Sequence, residues 1–206
     1  MSWWKYYSEL LGRNLSWLRT AVLLALGWFL AGLVLAVVNP SFLDTLVSWL
    51  EEFFGEVLGE EGLQSDFETV WDIAQNNIGA AGAVLLGGVV LGILPFVSVA
   101  TNFFILGFLL GSAVGLSGGG GLMIFIITVV PHGILEIPAL LLASAFGFKF
   151  GMFWRRPQEG KNRWGSFRES LKENLLLLPL LAVLLIAAAV VEVFATGALS
   201  GWFLES

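Results

Sequence analysis

Thr20 to Val38 is an uncharged apolar run long enough to cross a bilayer as a helix, and Asn39 and Pro40 stop it. Ser41 then suits a helix cap, and Phe42, Leu43, Leu46, Trp49, Leu50, Phe53, Phe54, Val57 and Leu58 recur every three or four positions beside an acidic face. That period predicts an amphipathic helix in the membrane interface or lying as a lid across the helix ends. A glycine-containing break over Gly59 to Ser65 leads to a second short helical pattern, with Phe67, Val70, Trp71, Ile73 and Ala74 toward the membrane. From Gly79 to Phe148 almost every position is apolar. Breaks near Pro95 and at Gly118 to Gly121 divide this run into spans over 79–97, 99–117 and 122–148, and a final span covers 175–191. The pattern predicts an all-α, polytopic membrane helix bundle of about five spans, with an acidic amphipathic helical loop over 39–78 on its outer side. Residues 1–206 read as a single membrane domain. Span 122–148 contains Pro131 and Pro138, so a kinked helix and a pair of half-helices are both open.

Composition agrees: 57% of the 206 residues are apolar, 13% are charged, and mean hydropathy is +0.86, which excludes an ordinary soluble domain. The first span follows a long mixed aromatic and charged segment, unlike a cleavable signal peptide, and is expected to be retained. All ten Lys and Arg lie in two segments, Lys5 to Arg19 and a loop over 149–174. The positive-inside rule places both in the cytoplasm, with the amino terminus inside and the carboxyl terminus outside a multi-pass cell membrane protein. Residues 39–78 carry nine acids and no base, as expected of the opposite side. The basic segments read as topology determinants and contacts with anionic lipid; no recognition motif accompanies them, so no nucleic-acid partner is expected. Every tryptophan except Trp28 lies outside the expected spans, at positions favoured in interfacial belts. The absence of cysteine excludes disulfides and thiolate metal sites.

Candidate chemistry concentrates in Pro131, His132, Gly133 and Glu136. His132 is the only histidine, and it and Glu136 are the only ionisable residues between Asp72 and Lys149. An ionisable group in hydrocarbon costs roughly 2.5 to 3.5 kcal/mol on insertion scales, so it needs a partner, a hydrated cavity or a role. Residues four apart share a helix face, which lets the two side chains project together. Pro131 suits the first turn of a new half-helix whose positive end would lie near His132. Three readings follow: a structural tie to neighbouring spans through Thr101 and Asn102, a proton or ion path, and a polar surface for a partner. One histidine and one carboxylate are too few for a metal site, no nucleophile motif accompanies them, and Gly118 to Gly121 lacks a phosphate-loop lysine. No cofactor, metal or enzymatic activity is implied. Glycines four apart, at Gly88 and Gly92, at Gly107, Gly111 and Gly115, and at Gly147 and Gly151, permit close helix approach within one subunit or in a homodimer.

The run Pro131-His132-Gly133-Ile134-Leu135-Glu136-Ile137-Pro138-Ala139, followed by Gly147-Phe148-Lys149-Phe150-Gly151, resembles the stage II sporulation protein M family. Upstream, Gln75-Asn76-Asn77 and Asn102 with Gly107 and Gly111 extend the likeness over residues 75–151, while Phe103 departs from the glycine expected after the family's intramembrane asparagine. The resemblance implies a multispanning membrane protein without established catalytic activity. The family's namesake anchors a peptidoglycan-remodelling complex with the sporulation proteins D and P during engulfment. For this chain the resemblance implies a noncatalytic membrane scaffold or assembly protein supporting membrane or envelope remodelling, with unknown membrane or envelope partners. The alternative is a channel or transporter with His132 and Glu136 lining a polar path.

Overall fold

The computed structural model describes residues 2–39, 41–42, 67–155, 157–158 and 160–196. The expected acidic helix over 43–58, the break at Gly59 to Ser65, and the segment from Gly197 onward lie outside the described residues. Ser2 caps a short helix α1, Trp3–Arg13, by accepting a bond from the Lys5 amide. Five long helices follow: α2, Leu15–Val38; α3, Phe67–Gly87; α4, Ile93–Ser117; α5, Gly119–Gly151; and α6, Arg163–Val191. A 3-10 turn over Met152–Trp154 follows α5, and a π-turn over Glu192–Thr196 ends α6.

The five helices alternate in direction between two ends. Toward one end the first half of α6 meets α1 through a bond from Tyr7 Oη to Leu176 O, and meets the end of α3 through Asn174 Nδ2 to Leu85 O, each 3.0 Å. At the other end Phe67, opening α3, packs edge-on against Phe194. Helix α5 touches α2, α3, α4 and α6 and is the centre of the bundle. The described bases gather at the first end, on α1, the start of α2, the end of α5 and the start of α6, whereas Glu68 and Asp72 lie on the first turns of α3 at the other.

Helix α2 shows the organising rule. Its inward face is Ala21, Ala25, Gly32 and Ala36, while Leu23, Leu26, Leu30, Val34 and Val37 are exposed. Small residues inside and large apolar residues outside invert the soluble pattern and suit hydrocarbon as the solvent. Among the described residues, four helices are long and apolar enough to cross a membrane: α2, α4, the later part of α5, and α6. Helix α3 runs the same course but carries Glu68, Asp72, Gln75, Asn76 and Asn77 before its apolar half.

Several boundaries differ from the hydropathy reading. Residues 67–78, expected in the outer loop, form one helix with 79–87, because Val70 and Ala74 bury against Ala189 and Val193 of the opposite helix. The break expected at Pro95 falls at 88–92, where Leu91 and Gly92 adopt positive φ. Pro95 sits in the first turn of α4, where its missing N–H leaves no helical bond unmade. Helix α5 runs unbroken from Gly119 to Gly151, so no half-helix begins at Pro131. The basic loop is shorter than 149–174, since α5 extends through Lys149 and α6 starts at Arg163. Asn162 caps that start by accepting a 2.7 Å bond from the Gly165 amide.

Two glycine seams hold the helices at backbone contact. A Cβ on Gly32 would run into the Phe104 carbonyl, one on Gly107 into the Phe29 carbonyl, and one on Gly111 would lie 2.7 Å from Ala36 Cβ, all between α2 and α4. Gly88 lies against the Gly147 backbone and Gly151 against Gly92 and Gly88, so two glycine pairs from different segments meet each other. Gly115 has open space around it. Gly107→Val should therefore cost at least about 1 to 3 kcal/mol and lower the melting temperature and monodispersity in mild detergent. Gly115→Val should change stability by no more than about 0.5 kcal/mol and leave both readouts as in the parent.

Candidate functional site

Helices α4 and α5 enclose a groove of about 250 Å³. Asn102, Phe103, Ile105, Leu106 and Leu109 line one wall; Val129, Gly133, Glu136, Ile137 and Leu140 line the other. Both sets recur every three or four residues, so each helix presents a single face. Gly133 is buried, Glu136 half-buried and Asn102 exposed. Glu136 lies near the middle of the 33-residue α5. Pro131 and His132 form part of the helix, but their side chains lie outside those described.

In one of the three readings Thr101 and Asn102 tie α5 to its neighbours. Asn102 Nδ2 instead donates to Ser98 O at 2.9 Å, and Thr101 Oγ1 donates to Val97 O at 2.9 Å, both within α4. Local back-bonding satisfies short polar side chains where water is scarce. Asn102 and Glu136 nevertheless line the same cavity, one offering a carboxamide and the other a carboxyl group. Phe103, the departure from the family pattern, is buried with Ala25 and Val99 and fills the contact between α2 and α4. The groove is apolar with two convergent polar groups, a surface suited to holding an apolar helix or chain that brings one hydrogen-bonding or charged group.

A second polar cluster lies at the basic end. Lys149 Nζ of α5 pairs with Glu173 Oε2 of α6, and both side chains are largely buried. Beside them Asn174 is buried and bonded to the Leu85 carbonyl. The inward seam of α6 thus changes from Ser166, Ser170, Glu173 and Asn174 to Leu177, Leu181 and Leu185. Nearby, partial burial pushes the Tyr6 phenol above its ordinary range, with Arg13 pulling the other way. The ion pair was missed from the sequence. Its signal was a lysine inside Gly147-Phe148-Lys149-Phe150-Gly151 and an acid directly before an apolar run, but 24 positions separate the partners.

A family model for stage II sporulation protein M matches residues 20–197. The chain belongs to the stage II sporulation protein M family. The matched segment takes in both walls of the groove, both glycine seams and the Lys149–Glu173 pair, and the family and the apolar helices together identify an integral, multi-pass membrane protein. Two uncharacterized proteins of Methanocaldococcus jannaschii are similar. MJ0793 is 29% identical over 132 residues, covering 64% of this chain and 73% of its own. MJ0706 is 33% identical over 132 residues, covering 63% of this chain and 56% of its own, little more than half that protein's length. No solved structure matches.

Removing one partner of a buried ion pair leaves an uncompensated charge. Lys149→Met should cost about 3 to 5 kcal/mol, read as a lower melting temperature in detergent. The Lys149→Met/Glu173→Met double variant should recover much of that loss.

Proposed function

We propose that the protein is a noncatalytic membrane scaffold and that the groove between α4 and α5 receives a helix from a partner membrane protein. The observation that carries this reading is the construction of the groove. Two adjacent helices wall it, its lining is mainly apolar, and Asn102 and Glu136 supply polar groups at membrane depth. Such a cleft accepts the ridge of another helix, and a buried hydrogen bond across the contact fixes its register. Membership of the family supports a role in membrane or envelope assembly. If the scaffold reading holds, Asn102→Leu and Glu136→Gln give folded, monodisperse protein that migrates at lower mass than the parent in native gels of mildly solubilised membranes. Unchanged assembly for both variants refutes it.

Glu136 in mid-helix also suits the second reading, a polar path across the bilayer. Liposomes containing the protein separate the two. The scaffold leaves proton, cation and small-solute flux at the level of empty vesicles, whereas a path gives pH-dependent flux that Glu136→Gln abolishes.

We infer further that the protein lies in the cell membrane with its basic end in the cytoplasm. The separation of described bases from Glu68 and Asp72 supports this orientation. Because the chain has no cysteine, single substitutions report on it directly. Glu68→Cys should react with an impermeant maleimide in intact cells, and Lys161→Cys only after permeabilisation. The reverse pattern overturns the orientation.

A further inference from the structure

A second cavity, of about 190 Å³, lies at the basic end and is lined by Trp17, Lys149, Met152, Phe153, Gln158, Ser166 and Ser170. Its polar side is built from buried groups. Ser166 and Ser170 are 1% and 2% exposed, and each hydroxyl oxygen accepts a bond from Gln158, from the backbone amide at 2.8 Å and from Nε2 at 3.3 Å. A hydroxyl that accepts still has its own proton to give. Lys149 carries three protons on Nζ and spends one on Glu173. The cavity therefore brings together hydroxyl and ammonium donors, and the Glu173 carboxylate beside Lys149 is paired with it.

The surroundings define which acceptor fits. Arg155, Arg163, Arg168 and Lys172 are exposed on the same end of the bundle. Trp154 and Trp164 are exposed beside them, and the Arg168 guanidinium lies 5.0 Å from the Trp164 ring centre. Exposed tryptophan among cations at the ends of apolar helices is the composition of a surface at headgroup depth. The walls Trp17, Met152 and Phe153 are apolar and continue onto the membrane-facing helices.

We propose that this cavity is a binding site for an anionic phospholipid. The phosphate accepts bonds from Ser166, Ser170 and Lys149, the outer arginines select a net negative headgroup, and the acyl chains lie along α2 and α5. The shared chemistry is a phosphate with free oxygens, which inorganic phosphate also offers.

The whole 206-residue chain in a neutral detergent tests the assignment. Retention of added phosphatidylglycerol and phosphatidylcholine is read by native mass spectrometry, and melting temperature is measured with each lipid and with inorganic phosphate. Phosphatidylglycerol should bind at least about tenfold more tightly than phosphatidylcholine and raise the melting temperature. Arg155→Gln/Arg163→Gln/Arg168→Gln should remove the preference, whereas the matching arginine-to-lysine variant keeps it. Ser166→Ala/Ser170→Ala should weaken binding of both lipids. Should the serine pair disturb folding, the single variant Ser170→Ala, which keeps the 2.8 Å bond from the Gln158 amide to Ser166, must still weaken binding of both lipids. No lipid preference in the parent, a preference insensitive to the arginine variant, or equal stabilisation by inorganic phosphate overturns the proposal.

Discussion

Hydrocarbon supplies no hydrophobic drive to bring one apolar helix against another, so this bundle depends on how closely its backbones approach. Gly32 and Gly107 let α2 and α4 meet carbonyl to Cα, and Gly88, Gly147 and Gly151 do the same between α5 and the turn after α3. Dispersion between closely opposed backbones then replaces the burial that would hold a soluble core together. Large side chains such as Leu23, Leu30 and Val37 are displaced outward, where lipid solvates them. The placement of α5 against four other helices follows from this small-residue economy, and with it the placement of Glu136.

Much of the architecture was legible because hydropathy and small-residue spacing are written locally. The long apolar runs became α2, α4, α5 and α6, and the break at Gly118 stands where the glycine tract put it. Helix α3 was harder to read. Glu68, Asp72 and the amides at 75–77 look like water-facing loop, yet Val70 and Ala74 keep a helical face that another helix covers. Pro95 misled for a similar reason, since proline breaks a helix interior but fits a first turn. The polar residues of the groove stood out in sequence as isolated groups in an apolar run. Their common cavity depends on how α4 and α5 rotate against one another, which no local pattern states.

The two polar regions divide the molecule by depth. The groove places Asn102 and Glu136 among aliphatic side chains in mid-bundle, where water competes poorly and each polar group must be matched locally. The basic end joins Lys149, Glu173 and the Gln158 network beside exposed arginines and tryptophans, where the dielectric rises toward water. Helix α5 carries one residue of each, Glu136 and Lys149, on the same unbroken rod. Pro131 and Pro138 do not interrupt it.

The bond from Tyr7 to the Leu176 carbonyl spans 169 residues of sequence. Leu10 and Leu177 also belong to the same buried cluster, so part of what seats α1 comes from a helix made long after it. At about 5 to 20 residues per second, the ribosome takes roughly 10 to 30 s to make the intervening chain. During that interval α1 carries Trp3, Trp4 and Tyr6 without its eventual support. Final seating of α1 therefore follows the synthesis of α6, and it reports that α6 has entered the bundle.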